Sequence, residues 1–452
     1  MNVGVIGCGT AGAACAIFMA RAGHDVTVLE RVAEPKPVGA GIIIQPTGQT
    51  VLARLGLLAK ITERGARLER LFLRTPRQRT LVDLRYAAVD ATWFGIGIHR
   101  GVLFEALYDT VRTEPRITLA TGVAVRGLRR DGAVTYAVAD HDGAEPLDTR
   151  VGANDGIARR EYGPFDLVVV ADGSVSELRG AAGATSRDAA YPWGALWFVA
   201  EDPDRVFAGE LYQIASRARR LYGVLPTGLG PRGDVPVVSL FWSLAAHDLD
   251  AWRAAGLDAW KAEVRALDPR IAFVLDRVTS LDQLVFARYR DVAMKRWHDR
   301  GIVFIGDAAH ATSPQLGQGA NLALVDAMVL ADALASSGKI DPAQAGTGSV
   351  DGALDAATTT APRDLNARDH DTPAAIDAAL ETYSRARRRH LRHYQRMTRI
   401  LTPFFQSDSR FYGWLRDWTF PIANALPPLR NHMVRTMAGV SLGFGRSRLL
   451  LR

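Results

Sequence analysis

Cysteine is nearly absent from this chain: Cys8 and Cys15 are the only two in 452 residues, and both lie in an apolar stretch. A disulfide framework needs more, so they read as packed thiols in a reducing compartment. No cysteine and histidine cluster has metal-ligand spacing, which leaves metal chemistry without ligands. Lysine is scarce as well, with none between Lys60 and Lys261. Long uncharged apolar runs are missing apart from residues 3–20. That run holds four glycines and has no basic residue ahead of it, which argues against both a signal peptide and a membrane span. Residues 338–372 lack any apolar period and read as a flexible insert that carries no chemistry.

The remaining composition is that of a soluble globular protein, 48% hydrophobic and 23% charged. Its length suggests about two packed domains. The net charge of +7 is unevenly spread. Residues 381–452 hold 14 arginines and three acids, so the chain ahead of Glu381 is net acidic. The basicity belongs to a C-terminal region.

The segment on which the chain turns is 301–327. A short apolar run, Ile302 to Ile305, is bounded by Gly301 and Gly306 and reads as a buried strand. Asp307 stands at its carboxyl end, where open α/β sheets bind ligands. Gly317, Gln318 and Gly319 then open a helix whose first turn offers unpaired N–H groups and the positive end of a dipole. The plainer reading is a buried aspartate capping a turn.

At the other end of the chain, residues 3–6 form a strand and Gly7-Cys8-Gly9-Thr10-Ala11-Gly12 follows. A helix and a second strand come next, with Glu30 at that strand's end. This is GxGxxG in its required context. Gly7 permits the turn, Gly9 lets backbone approach a pyrophosphate, and Gly12 lets helix and strand close up. Glu30 can accept from the hydroxyls of an adenosine ribose. The motif serves FAD and NAD alike. Gly39 to Gly41 read as a loop that presses on a cofactor or as an ordinary turn. Arg100 begins a helix at the end that favours anions, which suits a phosphate or ribityl oxygen, or a solvated arginine. Residues 166–171 are another buried strand, closed by Asp172 and Gly173.

From 187 to about 289 the pattern becomes alternating and aromatic, as in a mostly antiparallel sheet with one helix near 257–267. Trp193, Trp197, Tyr212, Tyr222, Phe241 and Trp242 are core residues or pocket lining. Residues 376–400 form a long helix with many arginines, and seven aromatics follow between 404 and 420. Three readings stand for that region: packing on the body, contact with a membrane surface, and, last, nucleic acid.

Taken in order, these motifs resemble the FAD-dependent aromatic hydroxylases, the single-component flavoprotein monooxygenases of the p-hydroxybenzoate hydroxylase type, over roughly residues 1–335. The tail is more loosely similar to ubiquinone-pathway and quinolone hydroxylases. The resemblance implies an α/β fold. A Rossmann-type FAD-binding domain (1–67, 96–186, 290–337) would be interleaved with an antiparallel-sheet substrate domain (68–95, 187–289). A 338–375 insert and a C-terminal helical region (376–452) complete it.

It also implies roles. Gly7, Gly9, Thr10, Ala11 and Gly12 would form the pyrophosphate turn, with Glu30 and Arg31 at the adenosine. Gly41 and Arg100 would lie along the cofactor, and Asp172 with Gly173 would serve FAD and NAD(P)H binding. Asp307 would hold a ribityl hydroxyl. Pro314, Gly317, Gly319, Ala320 and Asn321 would border the isoalloxazine. NADH or NADPH and O2 would drive hydroxylation of a small aromatic, quinone-like or heteroaromatic substrate through a flavin C4a-hydroperoxide. No side chain is assigned as catalytic acid or base, no metal is expected, and nucleic acid is not a partner. The expected location is cytoplasmic, with peripheral membrane contact through the basic aromatic tail as the second reading. A flavin-dependent halogenase on the same fold is the nearest rival, but the families it resembles use an active-site lysine and a Trp-x-Trp-x-Ile-Pro motif, and this sequence has no lysine between Lys60 and Lys261 and no such motif. A flavin reductase and a non-catalytic flavin-binding interaction protein are the competing readings.

Overall fold

A computed structural model describes residues 1–140, 159–182, 185–231, 233–337, 372–443 and 449. Residues 141–158, and all but the last four residues of the 338–375 insert, lie outside these.

Two sheets organise the chain. The first runs His298–Asp299, Ile302–Phe304, Leu167–Val170, Asn2–Ile6, Asp25–Glu30, Ile117–Thr121. All pairings are parallel except that of the short edge strand His298–Asp299. Its central strands are buried runs of valine, isoleucine and leucine, as sheets covered on both faces require. The helices Thr10–Arg21 and Gly319–Ser337 pack on each other, and Pro373–Phe405 packs on the second of them. Gly319–Ser336 is apolar and long enough to cross a membrane, yet it lies mostly buried in this core.

The second sheet has nine strands. Its path is Val285–Met294, Thr185–Glu201, Pro236–Ala245, Arg220–Leu229, Gly209–Ser216, Ala66–Arg74, Gly95–His99 and Gly41–Ile44, with Thr80–Arg85 on Ala66–Arg74. Strand alternation splits its two faces. One, carrying Tyr212, Tyr222, Leu240 and Trp242, is buried with Trp260 and Val264 of the helix Leu257–Leu267. The other carries Leu211, Leu225 and Phe241, which pack with Ile43.

The strand boundaries differ from the sequence reading. Gly41–Ile44, Gly95–His99 and the end of Val285–Met294 pair in the second sheet, not the first. Short strands of mixed pattern do not reveal their partners, because register is settled by the face that must be buried. Of the six aromatics singled out, Tyr212, Tyr222 and Trp242 are core beneath the helices. Trp197 and Phe241 are half-buried neighbours, with ring centroids 5.2 Å apart.

Candidate cofactor and substrate site

Four adjacent parallel strands end on the same edge of the first sheet and bring the motifs together. The ladder continues past the strands: Gly7 N donates to Leu29 O (2.8 Å), Ala171 N to Ile6 O (2.8 Å) and Ile305 N to Val170 O (3.1 Å). Gly7, Glu30, Asp172 and Gly306 are therefore neighbours in space, although they come from opposite ends of the sequence.

The glycines there serve two different ends. A Cβ on Gly12 would lie 1.9 Å from Gly7 O, so the helix Thr10–Arg21 reaches the turn only because Gly12 has no side chain. Gly7 is at φ +97°, with Ala171 O 2.6 Å from where its Cβ would be. Gly306, at φ +60°, would put a Cβ 2.8 Å from the Ala11 methyl, so the two motifs touch. By contrast, a Cβ on Gly9, Gly173, Gly317 or Gly319 would meet nothing within 4 Å. These glycines border open space, as backbone that must approach a ligand does.

The donors face the same way. The helix Thr10–Arg21 closes its first turn with Ala13 N on Gly9 O, leaving the N–H groups of Thr10, Ala11 and Gly12 without intrahelical acceptors. At the second helix Leu322 N reaches Gln318 O (2.8 Å), and Gly319, Ala320 and Asn321 stand in the same position. Pro314 opens a short turn that ends on Gly317 in the left-handed conformation.

Three carboxylates lie on this edge. Glu30 accepts from Cys8 N (2.8 Å) and Val32 N (2.9 Å), which fixes the carboxylate and leaves it further acceptor capacity. Asp307 is exposed at the start of its helical turn. Asp172 has a buried Oδ1 without a hydrogen-bond partner. Burial raises its pKa, while the nearby Ser176 hydroxyl, its own backbone N–H and then the Arg179 and Arg31 charges pull it back. An unpartnered buried acceptor beside an open glycine fits a ligand donor.

Arg100 is exposed, its stem passing where a Gly39 Cβ would sit, with Cδ at 3.2 Å. His99 is the buried N-cap of that helix: its Nδ1 accepts from Gly101 N (3.1 Å), and burial lowers its pKa. Gly41 has a reason independent of any cofactor. A Cβ there would lie 2.5 Å from the Thr227 methyl carbon and 2.8 Å from Ser239 Oγ, so it allows its strand to pack against Arg220–Leu229 and Pro236–Ala245 of the same sheet.

Asn321 joins the two sheets. Its Oδ1 accepts from Gln45 N (2.8 Å), while Nδ2 donates to Ile43 O (2.9 Å) and Gly317 O (3.2 Å). Its side chain is thus fully used in positioning, and its backbone remains on the open edge.

One group of residues escaped the sequence reading. Asp326 is wholly buried and accepts from Gly306 N (2.9 Å), His310 Nε2 (2.5 Å) and Arg387 Nε (2.7 Å). Burial pushes its pKa up, but the His310 and Arg387 charges outweigh that and hold the carboxyl well below the usual range. Arg387 also donates to His390 Nδ1 (2.6 Å), and His390 Nε2 donates to Gly439 O (2.7 Å). Gln318 Nε2 donates to Met437 O (2.7 Å) and Tyr394 OH to Thr436 O (2.9 Å). The C-terminal region therefore supports the Gly306 and Gln318 turns from behind. The signal was faint: one of two aspartates in an apolar helix, and an arginine on the buried side of a basic one.

Residues 1–340 match the family described as "FAD binding domain". 6-Methylpretetramide 4-monooxygenase of Streptomyces rimosus is 31% identical over 337 residues, covering 72% of this chain and 73% of that protein. 2-Heptyl-3-hydroxy-4(1H)-quinolone synthase of Pseudomonas aeruginosa is 29% identical over 342 residues, 73% of this chain and 80% of its own. The crystal structure of a point variant of Klebsiella pneumoniae HpxO complexed with FAD shares the fold, with a TM-score of 0.70 at 19% identity, 98% of this chain and all of that one being covered.

The chain belongs to this FAD-binding family, as an FAD-dependent monooxygenase of the aromatic-hydroxylase type. Its cofactor is FAD and its co-substrate NADH or NADPH.

Proposed function

We propose that this enzyme hydroxylates an apolar aromatic, quinone-like or heteroaromatic small molecule held between the open edge of the first sheet and the Leu225 face of the second. FAD, when bound, supplies hydride acceptance from NAD(P)H and activation of molecular oxygen. The protein's part is to bind, orient and exclude water. Glu30 and Arg31 hold the adenosine end, and the free N–H groups of Thr10, Ala11 and Gly12 hold the pyrophosphate. Asp307, Asp172 and Arg100 meet the ribityl and phosphate oxygens, with Gly173 admitting the chain. Pro314 and the backbone of Gly317 to Asn321 would border the ring system, and Gly41 would lie against the cofactor. Trp197 and Phe241 form the apolar wall for the substrate ring.

The observation that carries this reading is the edge itself. Motifs from residues 7, 30, 172 and 306 meet there, next to glycines whose missing side chains leave open space. By name, one of the two relatives above is a monooxygenase of 6-methylpretetramide and the other a synthase of 2-heptyl-3-hydroxy-4(1H)-quinolone. A ring-bearing substrate of that kind would suit such a wall.

The test is oxidation of NADH and of NADPH by the purified yellow enzyme against a panel of phenols, naphthacenes and quinolones. Substrate-stimulated oxidation with an oxygen-bearing product is expected. Flavin that no pyridine nucleotide reduces would instead support a non-catalytic interaction protein. We also propose that the C-terminal region contacts a membrane peripherally.

A further inference from the structure

The helix Arg410–Ala425 is anchored on one side only. It packs on the strand Thr80–Arg85 and on the long helix Pro373–Phe405. Gly413 allows the approach, since a Cβ there would lie 2.9 Å from the Arg217 backbone. Arg416 is fully buried and donates from Nη1 to Arg217 O (2.6 Å) and Phe404 O (3.0 Å).

The other side faces water. Phe411, Trp414, Trp418 and Ile422 follow at helical spacing and are 57%, 57%, 59% and 54% exposed. Their rings form a continuous strip, with centroids 6.0 Å apart for Phe411 and Trp414 and 6.3 Å for Trp414 and Trp418. Among the described residues, every exposed large apolar side chain before residue 400 is a valine. A contiguous patch of this kind marks an interaction surface.

Charge decides what covers it. The preceding helix exposes Arg385, Arg388, Arg392 and Arg396, and residues 381–452 have a net charge of +11 in a chain that is otherwise acidic. A second copy joined through the same patch would bring two such regions together, because a two-fold contact is self-facing. An anionic lipid surface is complementary to it. Indole rings favour the headgroup layer, and interfacial helices combine an aromatic face with arginines.

Building on the peripheral contact proposed above, we propose that the helix Arg410–Ala425 lies in the plane of an anionic lipid surface. Its aromatic strip enters the headgroup layer, and the arginines of the neighbouring helix pair with lipid phosphates.

The experiment uses the full-length, FAD-loaded protein and vesicles of phosphatidylcholine with and without phosphatidylglycerol. Sedimentation with the anionic vesicles is expected, together with a blue shift of tryptophan emission. The double variant Trp414→Ser/Trp418→Ser should lose at least about tenfold in vesicle affinity. Arg388→Gln/Arg392→Gln/Arg396→Gln should lose the preference for anionic vesicles. Both variants should keep flavin absorbance and melting temperature. Failure to sediment with any vesicle would sink membrane contact altogether. Sedimentation that the tryptophan variant leaves unchanged would sink the helix assignment alone. A lipid-free dimer that the same variant dissociates would show that the strip is covered by a second copy.

Discussion

Two glycine-bearing turns meet at the site, and they are held in place by different physics. The first, residues 7–12, is built from its own neighbourhood: strand, turn, helix and strand follow without interruption from Asn2 to Glu30, with Gly12 against Gly7 O. The second, residues 306–319, is held from outside. Gly306 N is fixed by Asp326, Asp326 by Arg387, and Gln318 by the carbonyl of Met437. A local turn carries its instructions in a motif. A turn held by distant polar groups carries them in residues that look like core or surface until the fold is known.

The comparison can be broken most severely at Gly12. Gly12→Ala forces a methyl to within 1.9 Å of Gly7 O, so helix and strand must part. Loss of soluble yellow protein is expected. Gly319→Ala meets nothing within 4 Å. It should leave the melting temperature nearly unchanged while weakening FAD binding. Equal effects of the two substitutions on soluble yield would erase the distinction between packing glycines and ligand-facing ones.

Arg387→Ala tests the distant support. Removing one partner of a buried ion pair costs about 3–5 kcal/mol, because the other charge stays buried. Urea unfolding should show that loss, and bound flavin should become easier to dialyse away. A variant with normal stability would mean that Asp326 is not held as a carboxylate by Arg387.

Asp307→Ala is expected to do the reverse. The side chain is exposed, so stability should change by no more than about 0.5 kcal/mol, while FAD affinity falls by at least about tenfold, the cost of a charge-assisted hydrogen bond. Retention of fully yellow enzyme after dialysis would remove Asp307 from the cofactor site.

Legibility in the sequence followed the same division. The strand–turn–helix–strand of residues 2–30 and the strand ends at Asp172 and Asp307 could be read, because hydrophobic runs and glycine spacing are local signals. The helix Leu257–Leu267 was legible for the same reason. The partners of Gly41–Ile44 and Gly95–His99 were not, since a short strand does not encode which sheet it joins. Gly41 illustrates this: its glycine answers to Thr227 and Ser239, on strands far along the chain. The Asp326 network was hidden because burial of its arginine and histidines depends on how the last long helix docks. The basic tail proved to be partly integral: Arg387 and Arg416 are fully buried, while Arg388 and Arg392 face water.

The smallest effect expected concerns acid stability and sharpens the contrast from the C-terminal side. His393 is buried, its pKa lowered to about 4 first by burial and then by the nearby His432 charge. In the unfolded chain a histidine titrates near about 6.5. Between these values the unfolded chain binds a proton that the folded one refuses, so stability must decline as pH falls from about 6.5 towards about 4. His390, buried and likewise lowered, adds to the decline as pH falls below about 6.5. Asp326 acts lower down. Its depressed pKa confers stability that is complete above the unfolded carboxylate value of about 3.9 and is lost only as pH drops beneath that. His393→Gln should therefore flatten the urea midpoint between about pH 6.5 and 4 without altering the fall at lower pH. Midpoint curves for the two proteins that run parallel throughout would show that His393 is not held neutral by its surroundings. The region behind the second turn would then owe its acid sensitivity to His390 and His432.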